Sequence, residues 1–105
     1  MDALRRARAG QLFGALSHPT RIRIVELLLP GPRSVNEIAG ALGAGQSGTS
    51  QHLSILARSG VVVAEHRGAT RLYRVRGPRI ERILALIEEF CRVHDLGAQV
   101  EEEPV

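Results

Sequence analysis

Between Gln46 and Ser54 the chain sets Gln46, Ser47, Thr49, Ser50, Gln51, His52 and Ser54 close together, all of them side chains that donate or accept hydrogen bonds without great bulk. Leu53, Leu56 and Ala57 recur at helical spacing. The segment therefore predicts a helix with an inward apolar stripe and with Ser47, Thr49, Ser50, Gln51 and Ser54 on its other faces. Glutamine, serine, threonine and histidine on such a helix can meet base edges or phosphates in a major groove without holding the helix off the duplex. A second chemical group follows at once. Arg67, with His66, Arg71, Arg74 and Arg76 around it, offers cations suited to phosphates or to the negative potential of a minor groove.

Those arginines need an element to carry them. Ser59-Gly60 ends the helix, the branched Val61, Val62 and Val63 favour a strand, Arg67-Gly68-Ala69-Thr70 makes a turn, and Leu72, Tyr73 and Val75 supply the return strand. For the hairpin alone, a solvated basic loop on a small α+β domain is the plainer account. A polar-faced helix running directly into an arginine-tipped hairpin is the layout of a winged helix-turn-helix, and it predicts double-stranded DNA as the partner.

The rest of the chain fits that layout. Residues 3–16 read as a helix weakened by Gly10 and Gly14. His18-Pro19 opens a second, strongly apolar helix through Ile22, Ile24, Val25, Leu28 and Leu29, which Pro30-Gly31-Pro32 stops. Ser34 and Glu37 form a capping box for a short helix whose Val35, Ile38, Ala39 and Leu42 face the core. Gly43-Ala44-Gly45 is the turn before the reader helix. After Gly77-Pro78 a last helix near 79–95 carries Ile80, Ile83, Leu84, Ile87, Cys91 and His94 on one stripe. The expected class is mainly α with a small β-hairpin (α+β).

Length and charge bound the reading. A chain of 105 residues has room for one modest core, so one domain is expected over 1–96, with 97–105 as an acidic flexible tail. All fourteen basic residues are arginine, which keeps its charge at any working pH, although a GC-rich genome also encodes basic residues this way. Twelve of them lie in residues 1–79 against Asp2, Glu26, Glu37 and Glu65, a balance of +8, whereas residues 80–105 hold two against seven acids, a balance of −5. The basic part is the part with the reader pattern. No apolar run approaches a membrane span and MDALRRARAG lacks a signal core, so a cytoplasmic protein is expected. A single cysteine, Cys91, excludes a disulfide within one chain.

A terminal helix with a continuous apolar face, together with a weak first helix, predicts a homodimer through the two ends of the chain; packing of that face onto its own domain is the alternative. A dimer would present two reader helices about one turn of DNA apart, or a multiple of that, and call for an inverted-repeat operator.

The chain resembles the ArsR/SmtB family of bacterial winged-helix repressors over about residues 11–95. LFGALSHPTRIRIVELLL resembles the family's opening pair of helices, SVNEIAGALG the helix before the turn, and QSGTSQHLSILARSGVV the recognition helix and the start of the wing. The resemblance implies a homodimer that binds operator DNA and represses nearby genes until an inducer weakens the complex. It also implies DNA contacts by Gln46, Ser47, Thr49, Ser50, Gln51 and His52, with help from Arg67 and Arg71 in the wing. Gly48 departs from the family, which has a larger helix former there; relative to alanine it costs the helix about 1 kcal/mol.

The inducer is not legible. Family members that sense arsenic or cadmium near the third helix use cysteines where this chain has SVNEI, and the last-helix pattern of metal sensors does not match ERILALIEEFCRVHD. Cys91, His94 and Asp95 fall three and four residues apart and could hold zinc, nickel or cobalt across a dimer. A small apolar cysteine and a helix-end histidine are the plainer account of the first two, so no metal ligands and no cofactor are assigned. Redox sensing by Cys91 ranks below the metal reading, since a lone stripe cysteine is not obviously reactive. Catalytic motifs such as G-x-S-x-G, a phosphate loop or H-E-x-x-H are missing, so an enzyme is not expected. The rival class is a winged-helix module that binds protein, against which Arg67, Arg71, Arg74 and Arg76 argue.

Overall fold

A computed structural model describes residues 1–94; Asp95 and the acidic 97–105 segment lie outside the described residues. The elements are α1 (Ala3–Ala15), α2 (Pro19–Leu28), β1 (Arg33–Ser34), α3 (Val35–Leu42), α4 (Gln46–Arg58), β2 (Val62–Arg67), β3 (Thr70–Val75) and α5 (Pro78–His94). The fold is a winged helix-turn-helix, mainly α with a small antiparallel sheet.

Local chemistry explains most boundaries. The Asp2 carboxylate accepts from the Arg5 N–H at 2.8 Å and starts α1. His18 caps α2 by accepting the Thr20 N–H on Nδ1 at 3.2 Å, and Pro19, which has no N–H to satisfy, opens it. The capping box is formed in both directions, Glu37 N–H to Ser34 Oγ at 3.1 Å and Ser34 N–H to Glu37 Oε1 at 2.9 Å. Hydrogen bonds from Ser34, and the nearby Arg33 charge, hold the Glu37 carboxyl below the usual carboxylate range. Gly43 ends α3 at φ 64, a left-handed conformation that glycine adopts freely, and this reversal is the turn between α3 and α4.

Two boundaries differ from expectation. β1 went unread, because two residues cannot display an alternation; Arg33 and Ser34 pair antiparallel with Tyr73 and Leu72, giving a three-stranded sheet in the order β1-β3-β2. Val61 lies outside β2, since its N–H closes the end of α4 on Leu56 O at 3.0 Å.

The core gathers Ile24, Val25 and Leu28 from α2, Ile38 from α3, Leu53 and Leu56 from α4, Val61 from the link after α4, and Val62 and Tyr73 from the sheet. Ile80, Ile83, Leu84 and Ile87 of α5 only lean on it, and no α5 residue is buried. Cys91 and His94, expected to continue that stripe, are exposed. No helix among the described residues is long and apolar enough to cross a membrane.

Leu53 is fully buried beneath the polar face of α4, whereas an added Cβ at Gly48 would meet nothing within 4 Å. Leu53→Ala is expected to lower stability by about 2–5 kcal/mol through lost burial and a residual cavity. Gly48→Ala is expected to raise it by up to about 1 kcal/mol through helix propensity. Urea unfolding of the three proteins checks both signs.

Candidate nucleic-acid interface

The packing of α4 decides which of its side chains face out. Gln46, Ser47, Ser50, Gln51 and Ser54 are exposed. Thr49, expected among them, is 1% exposed, and its hydroxyl donates to Gly45 O at 2.8 Å. It lies four and seven residues before Leu53 and Leu56, on the inward stripe, so its hydroxyl is spent on the helix backbone and is not presented outward. Gly45 supplies no side-chain cap, and the first-turn N–H groups of α4 are left to an external acceptor. With the positive end of the helix dipole, they form a place where a phosphate oxygen is stabilised.

His52 is half-buried at the meeting point of three elements. Arg21 of α2 donates Nε to Ala15 O at 2.6 Å and Nη2 to Gly14 O at 3.2 Å, which ties it to the end of α1. Its Nη1 lies 3.4 Å from His52 Nδ1. A guanidinium has only donors, so this contact requires Nδ1 to accept and puts the proton of the neutral ring on Nε2. The His18 ring stands 4.8 Å from that of His52, centroid to centroid. Partial burial, then the neighbouring His18 and Arg21 charges, push the His52 pKa down. A neutral His52 offers its outer edge as a donor, suited to a base acceptor or a phosphate oxygen.

The hairpin places its cations on two faces. Val62, Ala64, Tyr73 and Val75 pack toward the core, and by strand alternation the opposed pair His66 and Arg71 continues that face toward the tip. The Arg71 guanidinium lies over the Tyr73 ring, 5.2 Å from its centroid, a contact that stiffens an otherwise exposed side chain. On the opposite face Glu65 accepts from Arg67 Nη2 at 3.1 Å and from Arg74 Nε at 3.3 Å. Arg67 is therefore half-neutralised where the sequence suggested a free charge. Its side chain is 65% exposed, so the pair is weak and exchangeable for a phosphate. Arg76 sits at the hairpin base, where Nε donates to Gly60 O at 3.0 Å, and is no part of the tip. Gly68, at φ 63, makes the tight turn that brings Arg67 and Thr70 together.

Gln46, Ser47, Ser50, Gln51 and His52 thus share one helix, with Arg67 and Arg71 on the hairpin that follows it. Sequence reasoning missed Arg21, whose tie to His52 spans 31 positions. The exposed Leu86, Phe90 and Val93 of α5 and Phe13 of α1 were likewise not among the apolar residues expected to matter, whereas Leu4 belongs to the apolar side expected of α1. Of the candidate metal ligands, Cys91 and His94 share α5, with the His94 ring edge-to-face with Phe90 at 4.2 Å, and Asp95 lies outside the described residues. Among the described residues no three of His, Cys, Asp and Glu are grouped to hold a metal ion.

Comparison with known proteins gives a consistent picture. The family described as bacterial regulatory protein, arsR family, matches residues 18–63. An HTH-type transcriptional regulator of Mycobacterium tuberculosis is 42% identical over 77 residues, covering 72% of this chain and 68% of that protein. The HTH-type transcriptional repressor SmtB of the same species is 42% identical over 76 residues, covering 72% of this chain and 56% of that one. Among solved structures, the homodimeric winged helix-turn-helix DNA-binding domain of a Mycobacterium bovis protein superposes with a TM-score of 0.82 at 30% identity, covering 88% of this chain and 85% of that chain.

The His52 pKa in the folded chain lies below its ordinary value of 6.5. As pH falls, the unfolded chain therefore takes up this proton first. The His52 contribution to stability is whole above about pH 6.5 and is lost as pH falls through the lower folded value. NMR titration should show His52 protonating below pH 6.5, and His52→Gln should flatten the acid side of the stability curve. A titration midpoint above 6.5 would contradict the packing described.

Proposed function

Starting from the fact that this chain belongs to the bacterial ArsR family, we propose that it is a cytoplasmic transcriptional repressor. In this reading it binds an inverted-repeat operator as a homodimer, is released by an inducer yet to be identified, and catalyses no reaction. The observation that carries the reading is the exposed row Gln46, Ser47, Ser50 and Gln51 on a helix whose other side is locked into the core, followed directly by the Arg67 and Arg71 hairpin. Side chains of this kind read base edges, while the arginines supply the sequence-independent part of the affinity. His52 joins the row through its outer edge. Thr49 contributes by shaping the first turn of α4.

Dimerisation is supported by the apolar side chains that the single chain leaves in water. Leu86, Phe90 and Val93 recur at helical spacing on α5 and are 63%, 55% and 69% exposed, and Leu4 and Phe13 of α1 are each 63% exposed. The exposed apolar face of Leu86, Phe90 and Val93 on α5, with further exposed apolar groups on α1, supports an interaction surface, and the Mycobacterium bovis domain with which this chain superposes is described as homodimeric. Two-fold pairing through α1 and α5 sets two reader helices on one face of the duplex, at a spacing of one helical turn or a multiple. Residues 1–96 then form the DNA-binding and dimerisation domain, with 97–105 as its acidic tail.

A protein-binding module would have no use for the reader row or the hairpin cations. Anisotropy with DNA from upstream of the protein's own gene, at fixed salt, separates the two readings. Gln51→Ala is expected to weaken binding by about 1–3 kcal/mol if Gln51 reads a base. Arg67→Glu combined with Arg71→Glu should abolish operator binding, and Arg71→Gln alone should lower the salt slope by about one unit. Unchanged DNA affinity in the double variant would favour the protein-binding module. Phe90→Glu should yield a monomer by sedimentation with operator affinity lost in parallel, and a dimer that persists would move the interface elsewhere.

A further inference from the structure

Arg8 of α1, Arg58 at the last residue of α4 and Arg76 just after β3 line one open cavity of about 450 Å3 with Gln11, Ser59 and Gly60. No carboxylate lines it. Elsewhere three carboxylates pair with arginines, Asp2 with Arg5, Glu26 with Arg23, and Glu65 with both Arg67 and Arg74. None of the three cavity arginines is in an ion pair among the described residues. Arginine cannot shed its proton to relieve crowding by like charges, so an anion from outside would stabilise the arrangement. Arg76 is already oriented, since its Nε is held by Gly60 O at 3.0 Å and its two Nη atoms are left for another acceptor. Gln11 and Ser59 add polar groups at the rim.

The depression is open to solvent, with Arg8, Gln11, Arg58 and Arg76 all exposed, and its volume exceeds what a bare ion fills. Gln11, Arg58 and Ser59 also border a neighbouring depression of about 320 Å3 over Gly14, Ala15 and Ile55, which gives a carbon skeleton an apolar floor beside the charged end. We propose that this cavity binds a small oxyanion with at least two negatively charged oxygens, of the phosphate-ester or polycarboxylate kind. Forked guanidinium donors from three elements match such a group better than they match a single charge.

DNA phosphate is not the partner this site fits. Arg58 closes α4, and at a rise of 1.5 Å per residue it stands about 18 Å along the helix from Gln46. A helix that enters a groove by its first turns holds this end away from the duplex. The cavity instead joins α1, the far end of the reader helix and the base of the wing, so an anion there would bridge three separate elements.

The test is an NMR titration of the full chain, without DNA and with ionic strength held constant by sodium chloride, using sodium pyrophosphate and, separately, sodium citrate. At least one of them should bind saturably, with amide shifts centred on Gln11, Ser59, Gly60 and Arg76. Arg8→Gln with Arg58→Gln should weaken that binding at least tenfold, while the charge-matched Arg82→Gln with Arg92→Gln should leave it unchanged. Non-saturating shifts, equal weakening in both double variants, or shifts centred on Gln46–Gln51 and Arg67 would each overturn the proposal. The location of the shifts in the unaltered chain decides the site even if a variant fails to fold. Because DNA is absent from the experiment, its outcome stands apart from that of the operator measurements.

Discussion

Burial of the Leu53 and Leu56 stripe of α4 is the constraint on which the rest depends. Both side chains are withdrawn fully from solvent against a core built from α2, α3 and the sheet. A helix fixed along one side has no freedom to rotate, so its remaining faces are assigned: Thr49 inward, Gln46, Ser47, Ser50, Gln51 and Ser54 outward. The main driving force here is apolar burial, which is indifferent to direction. It becomes specific because helical geometry fixes the angle about the axis between each exposed polar residue and the buried Leu53 and Leu56.

Electrostatics refines that arrangement. Arg21 fixes the half-buried ring of His52 from one side, and the bond it donates decides which ring nitrogen carries the proton. Glu65 moderates the hairpin by sharing itself between Arg67 and Arg74, while Arg71 is steadied by Tyr73. A wing tip with one paired and one stacked arginine keeps its charge in defined positions, where free side chains would have to be ordered on binding. The cost of releasing Arg67 from Glu65 is small because both groups meet water.

Much of this was legible in the residues, and the parts that were not have physical causes. The capping box at Ser34 and Glu37, the Pro19 helix start and the glycine turn at Gly43 are local signals, complete within four residues, and the structure forms all three. Thr49 was assigned outward on its chemistry, although its spacing from Leu53 and Leu56 marked it as inward; spacing outweighs polarity where a hydroxyl can bond to its own helix backbone. β1 is too short for a pattern. The contact of Arg21 with His52 joins distant positions, and no local rule reaches it. On α5 the helical spacing shows the stripe from Ile80 to Ile87, whereas the second stripe, Leu86, Phe90 and Val93, stands out only once its exposure is seen. Cys91 and His94 turned out to be exposed beyond the part that packs, so the core ends sooner than the periodicity suggested.

In the proposed reading, the two surfaces left open by the single chain, the apolar stripe of α5 with α1 and the polar row of α4, act together when two copies sit symmetrically on DNA. Hydroxyl-radical footprinting of the protein on the DNA upstream of its own gene tests this most directly. The account predicts two protected backbone patches related by two-fold symmetry, with centres about one helical turn, or a multiple of it, apart. A single asymmetric patch, or protection without defined position that varies only with salt, would contradict it.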